Sequence, residues 1–161
     1  NLCFNENSVL DFDTSFKTLP VLRSQVNVDA LWKAVEDGTI DFIVSDHRPS
    51  IKEEKELEFE QASFGAPQLK TFYSALNSKN KLKLEKLIEV LSDKPRNFID
   101  APIPTIEKGN VADLTLFDPN SEFDFESTKK KEDIEYSPFK NEKMKGAIVG
   151  IFNKNKLFLN K

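Results

Sequence analysis

Asp46-His47 is the pair in this sequence best placed to do chemistry. It lies one residue, Ser45, beyond Ile40-Asp41-Phe42-Ile43-Val44, a short, nearly continuous apolar run with β-branched members. After a helix, such a run reads as a buried parallel strand. In parallel α/β architectures, sites are built at the C-terminal ends of strands. A carboxylate there can ligate a metal and take a proton from water. The plainer role for the same residues is a turn capped by Asp46, with His47 packed beside it.

The rest of the residue inventory limits that chemistry. The chain holds one His and one Cys. A catalytic zinc site needs about three protein ligands, usually rich in His. This chain therefore cannot build such a site alone, but it can contribute one ligand to a site completed elsewhere. Asp118, Asn120, Glu122 and Asp124 alternate as at the start of a calcium loop. Phe123 stands where that loop's turn requires Gly, and Lys129 where its last Glu belongs, which sets calcium aside. There is no G-x-x-x-x-G-K, G-x-G-x-x-G or G-x-S-x-G segment. Cys3 has no second His to pair with and reads as a core residue rather than a nucleophile.

The elements that must position Asp46 can be read around it. Leu2 to Phe4 reads as the end of a strand, Asn5 to Asp13 as a polar loop, and Pro20 to Arg23 as an extended connection. Asn27 is the expected N-cap of a helix whose apolar face is Val28, Leu31, Trp32 and Val35, with Gly38 as its stop. The charged stretch Ile51 to Glu60 reads as a surface excursion. Pro67 suits the first turn of a helix carrying Leu69, Phe72, Tyr73 and Leu76. Another helix is expected through Leu84, Leu87, Ile88 and Leu91, ending before Pro95. Strands are expected at Val111 to Phe117, Gly146 to Phe152 and Leu157 to Leu159, with Lys154-Asn155 at a hairpin tip. Residues 1–100 thus read as α/β units and residues 101–161 as all-β. The run Lys129-Lys130-Lys131 reads as a solvated loop.

The 161 residues are within the usual size of one domain. Hydrophobic residues at 39% and charged residues at 31% describe a globular chain, and 14 Phe can fill its core. The net charge of −4 argues against nucleic acid or an anionic membrane as partner. No apolar run approaches the ~20 residues of a membrane helix. A lone Cys excludes an internal disulfide and fits a reducing compartment, the cytoplasm. With Met144 the only Met and an apolar opening at Leu2-Cys3-Phe4, Asn1 reads as a cut end.

Several segments, in order, resemble the C-terminal half of dihydroorotases, members of the amidohydrolases. Phe16-Lys17-Thr18-Leu19-Pro20-Val21-Leu22-Arg23 is similar to the family's Y-K-V-N-P-P-L-R. The segment from Asp37-Gly38-Thr39-Ile40 through Ser45-Asp46-His47-Arg48-Pro49-Ser50 is similar to D-G-T-I-D-x-I-x-T-D-H-A-P-H. Ala62-Ser63-Phe64-Gly65 with Leu69 and Thr71 resembles A-P-F-G-x-x-G-L-E-T. Ile106 to Asp118, centred on Ala112-Asp113-Leu114, resembles G-x-I-x-x-G-x-x-A-D-L-x-x-F-D. Ser137-Pro138-Phe139 and Lys145-Gly146-Ala147-Ile148-Val149 resemble the closing T-P-F and L-K-G-x-V.

The resemblance implies an α/β fold: the C-terminal fragment of a (β/α)₈ barrel, with its last two strands, followed by a small antiparallel β-domain. It gives Asp46 two roles, as zinc ligand and as the group that shuttles the proton of the attacking hydroxide. It gives Phe64 and Gly65 a main-chain contact with the substrate ring. It implies one or two zinc ions whose other ligands lie outside this chain, in the missing N-terminal half of the same protein. The implied substrate is a small cyclic amide, and a second copy of the chain is a further candidate partner. The departures are Leu19 for the substrate-contacting Asn, Ser50 for the last His, and Gln68 and Lys70 for a Gly and a Glu. They leave three readings open: an atypical dihydroorotase, an amidohydrolase of another cyclic amide, or a non-catalytic paralogue. Arg48 is either a replacement cation for a substrate carboxylate or an exposed loop arginine.

Overall fold

A computed structural model describes residues 1–79, 81–125 and 136–160. Among these, every α-helix lies before residue 100 and every strand after residue 113. Helix α1 spans Gln25–Asp37 and buries Val28, Trp32 and Val35, three of the four residues of the expected face, with Leu31 half-buried. Its C-cap, Gly38, has φ +84, a left-handed conformation that glycine takes without steric cost. The N-cap is Ser24 rather than Asn27. Asn27 sits in the first turn, and its amide donates to the Ser24 hydroxyl at 3.0 Å. The Trp32 indole N–H donates to the Leu2 carbonyl at 2.9 Å, fastening the start of the chain to α1.

Neither Leu2–Phe4 nor Ile40–Val44 forms a strand. A strand exists only through a ladder to a neighbour. The amide of Ile43 instead makes a bond to the Val90 carbonyl at 3.1 Å. Ile43 still packs into a core with Trp32, Val35, Leu76, Leu87 and Val90, but Val44 is 66% exposed.

The expected excursion at 51–60 contains a short helix, α2, Lys52–Lys55, whose last residue is buried rather than solvated. Helix α3 spans Phe72–Lys79 and begins five residues beyond Pro67. The amides of Gln68 and Leu69, in the segment before it, both bond the His47 ring. Leu69, expected on the helix face, is exposed. The next helix does not end before Pro95. Helix α4, Leu84–Ile88, continues through a π-helical turn, Glu89–Asp93, into α5, Lys94–Phe98, with Pro95 in its first turn. Proline has no N–H to give to an interior helical bond, and its position at a fresh start after the widened turn avoids that loss.

Strands β1 (Leu114–Asp124), β2 (Lys143–Asn153) and β3 (Lys156–Leu159) form an antiparallel sheet in the order β1-β2-β3. Lys154 and Asn155 close the β2–β3 hairpin with φ +49 and +61, the positive pair that matches the twist of a two-residue hairpin. The pairing of β1 with β2 shifts register between Leu116 and Phe117 and between Asp118 and Glu122, the latter spanning Pro119. Asp118 to Asp124 therefore lie at the end of a strand, not in an ion-binding loop. The sheet packs on α3. The Ser74 hydroxyl donates to the Gly146 carbonyl at 2.6 Å, and the Asn77 amide donates to the Pro119 and Lys145 carbonyls at 2.9 and 3.0 Å. A second core group of Ala75, Phe125, Phe139 and Met144 fills this interface. Cys3 packs against both core groups, and burial pushes its thiol up to about 11, so it stays protonated and unreactive. The Lys129–Lys131 run lies outside the described residues.

Candidate active site

Asp46 has φ +44, an uncommon value for a residue with a side chain, though one that Asp tolerates better than most. Its Oδ1 lies 2.8 Å from Nε of Arg48, and both side chains are about half exposed. His47 points the other way. Its Nδ1 accepts the amides of Gln68 and Leu69 at 3.0 and 3.1 Å. A ring nitrogen that accepts carries no proton, so the neutral His47 bears its proton on Nε2. His47 thereby couples the turn at 45–50 to the segment before α3, a more specific role than quiet packing.

Two further main-chain bonds complete this junction. The Arg48 amide donates to the Ala66 carbonyl at 3.1 Å, and the Gly65 amide donates to the Lys17 carbonyl at 2.9 Å. Gly65 has φ +112, and a Cβ there would lie 2.6 Å from the Arg48 Cβ and 2.8 Å from its carbonyl oxygen. The segments around Lys17, Arg48 and Gly65, remote in sequence, thus meet at a point where only glycine fits.

Beside this junction lies a cavity of about 390 Å³ whose wall includes Asp46, Arg48, Leu19, Val44, Phe72 and Phe139. Asp46, Arg48 and Leu19 are therefore brought together at one hollow. Phe64 and Gly65 are not on its wall. Gly65 is buried behind Arg48, and the Phe64 ring stands 46% exposed, 4.7 Å from Lys17 Nζ.

Sequence reasoning missed Lys17 and Lys55, both buried and both donating to main-chain carbonyls. Lys55 lies in the charged stretch 51–60, which read as a surface excursion, and only the fold reveals that it is buried. Asp113, central to the Ala112-Asp113-Leu114 motif, lies far from this hollow in function. It accepts from the Asn153 amide at 2.8 Å and pairs with Arg96 at 3.0 Å, joining the start of β1 to β2 and α5. The Asn153 hydrogen bond, followed by Arg96, holds its carboxyl below the usual range.

The Amidohydrolase family model matches residues 3–153. The chain belongs to the amidohydrolase family. Among curated amidohydrolases it is 39% identical over 147 residues to a dihydroorotase of Clostridioides difficile, covering 89% of this chain and 34% of that protein. It is 30% identical over 152 residues to a dihydroorotase of Thermoanaerobacter sp., covering 92% of this chain and 35% of that protein. The chain thus spans about a third of the length of these relatives. Among solved structures it is similar to the L-hydantoinase (dihydropyrimidinase) of Arthrobacter aurescens, with a TM-score of 0.86 and 27% identity over 99% of this chain and 38% of that one. A D-hydantoinase from Thermus sp. shares the fold at a TM-score of 0.77 and 23% identity, over 91% of this chain and 34% of that one.

Among the described residues, no group of three or more His, Cys, Asp or Glu side chains could hold a metal ion. The His47 Nδ1 is committed to two amides. Asp46 is the carboxylate on the cavity wall, and it suits one coordination position and no more.

Proposed function

We propose that this chain is the Asp46-bearing C-terminal part of a metal-dependent cyclic amidohydrolase, most closely a dihydroorotase. Such an enzyme interconverts N-carbamoyl-aspartate and dihydroorotate at a C–N bond in pyrimidine biosynthesis. The observation that carries the reading is Asp46 on the wall of the cavity, held where the segments that resemble dihydroorotases meet. On this reading residues 1–100 complete a (β/α)₈ barrel and residues 101–161 a small β-domain. The remaining barrel and metal ligands belong to the N-terminal part of a longer cytoplasmic protein.

Zinc, when bound with Asp46 among its ligands, would supply Lewis-acid polarisation of the amide carbonyl. The chain's own residues account for the proton and the substrate. Asp46 takes the proton of the attacking water and delivers it to the departing nitrogen. Arg48 orients that carboxylate at 2.8 Å through Nε, leaving its terminal nitrogens for a substrate carboxylate. The Gly65 N–H is committed to Lys17 and Gly65 is buried beside the cavity wall, so the ring contact that the resemblance implies is left to the main chain of Phe64.

A second reading is a non-catalytic paralogue acting as a structural partner. The apolar Leu19 on the cavity wall, where the resemblance implies a substrate-contacting Asn, favours it. Purify the longer protein, measure its zinc content, and assay it with dihydroorotate and with hydantoin. Zinc with dihydroorotate turnover supports the first reading. Turnover of hydantoin alone shifts the substrate, and a zinc-free, inert protein supports the structural partner.

A further inference from the structure

We infer that Lys17 and Lys55 are positioning residues that clamp the main chain of 59–65 from both ends, and so set the site at Phe64 and Gly65. The inference rests on the proposed substrate contact of those two residues. Lys55 is 1% exposed and donates through Nζ to the carbonyls of Thr14 and Ser63, each at 2.9 Å. Lys17 is 7% exposed and donates to the carbonyls of Phe59 and Glu60 at 2.6 and 2.9 Å. The same Lys17 ammonium lies 4.7 Å from the Phe64 ring centroid, and its own carbonyl accepts the Gly65 amide.

The choice of groups is informative. Burying an ammonium costs free energy unless it is fully bonded. Burial, and then the nearby Lys17, lower the pKa of Lys55, with Asp13 and Glu54 opposing. Two mutually repelling cations are a poor way to fill space. They are a good way to fix carbonyls, because charge-assisted bonds are short and strong. All four acceptors are main-chain oxygens, three of them in the loop (Phe59, Glu60 and Ser63) and the fourth, Thr14, in the segment that carries Lys17, so the clamp sets the loop's backbone position against that segment. The cation facing Phe64 adds a preferred ring orientation. A loop proposed to present its main-chain atoms to a substrate needs its backbone fixed in this way.

The test is made in the longer protein, with Lys17→Met and hydrogen exchange as a readout independent of turnover. Lys17→Met is expected to raise KM for the cyclic amide about tenfold with kcat within about twofold, the pattern of lost binding rather than lost chemistry. Exchange of the Gly65 amide should quicken about tenfold as the loop opens locally. Lys17→Arg, which keeps the charge and N–H donors in a bulkier group, should recover part of both. If Lys17→Met does not fold, Lys17→Gln keeps an uncharged donor group with two N–H and should show the same signs at about threefold. Unchanged KM and exchange in a folded variant would overturn the clamp, as would a loss confined to kcat. A wild-type protein inert to every cyclic amide would sink the proposed function instead, and exchange at Gly65 would then decide the clamp alone.

Discussion

Gly65→Ala tests the junction at the candidate site through a cost that can be worked from geometry. Gly65 has φ +112, which by itself makes a side chain costly, on the order of 1–3 kcal/mol. Its new Cβ would also lie 2.6 Å from the Arg48 Cβ and 2.8 Å from the Arg48 carbonyl oxygen. Main-chain atoms cannot step aside as a side-chain tip can, so overpacking adds roughly 1–3 kcal/mol. The sum is about 2–6 kcal/mol, a large share of the stability of an ordinary domain. Gly38→Ala is the matched control, because Gly38 has φ +84 and nothing within 4 Å of its Cβ position. It should cost only about 1 kcal/mol, the conformational part. Urea unfolding of the two variants measures the difference, and Arg48 should move in a crystal structure of Gly65→Ala. Equal midpoints for the two variants would refute the contact between Gly65 and Arg48.

Further expected outcomes concern the frame and the chemistry. The 161-residue chain alone should show no turnover of dihydroorotate above a zinc-only control, because it holds a single His. Asp113→Asn should remove a pH-dependent part of stability. The folded carboxyl has a lowered pKa, so its contribution is present above the unfolded value and lost as pH falls through the folded one. That window opens below pH 3.8, the ordinary value, and thermal melts across it should flatten in the variant. The neutral-pH loss should be about 1 kcal/mol or less, since the ion pair is partly solvated.

Local signals were legible, and those needing a distant partner were not. The face of α1, its stop at Gly38 and the hairpin at Lys154-Asn155 depend on neighbours within a turn or two, so periodicity and turn chemistry revealed them. Ile40 to Val44 has the composition of a strand, but pairing is set elsewhere, and its Ile43 amide bonds Val90 instead. Pro95 read as a stop because the pattern carried no sign of the π-helical turn before it. Asp46 stood out by type and position, whereas its ion pair with Arg48, at a turn where Asp46 has φ +44, emerged only in the structure. Phe64 and Gly65 were reached only through the resemblance, and the reason Gly65 must be glycine emerged only when Arg48 was seen against it.

The most direct test of the central claim is Asp46→Asn in the longer protein, assayed with dihydroorotate beside the wild type. The substitution preserves shape but removes the group proposed to carry the proton. Wild-type turnover should fall by about 10²-fold or more in kcat, the scale for losing a general acid–base group, with the melting temperature nearly unchanged. Unaltered turnover in Asp46→Asn would contradict the account.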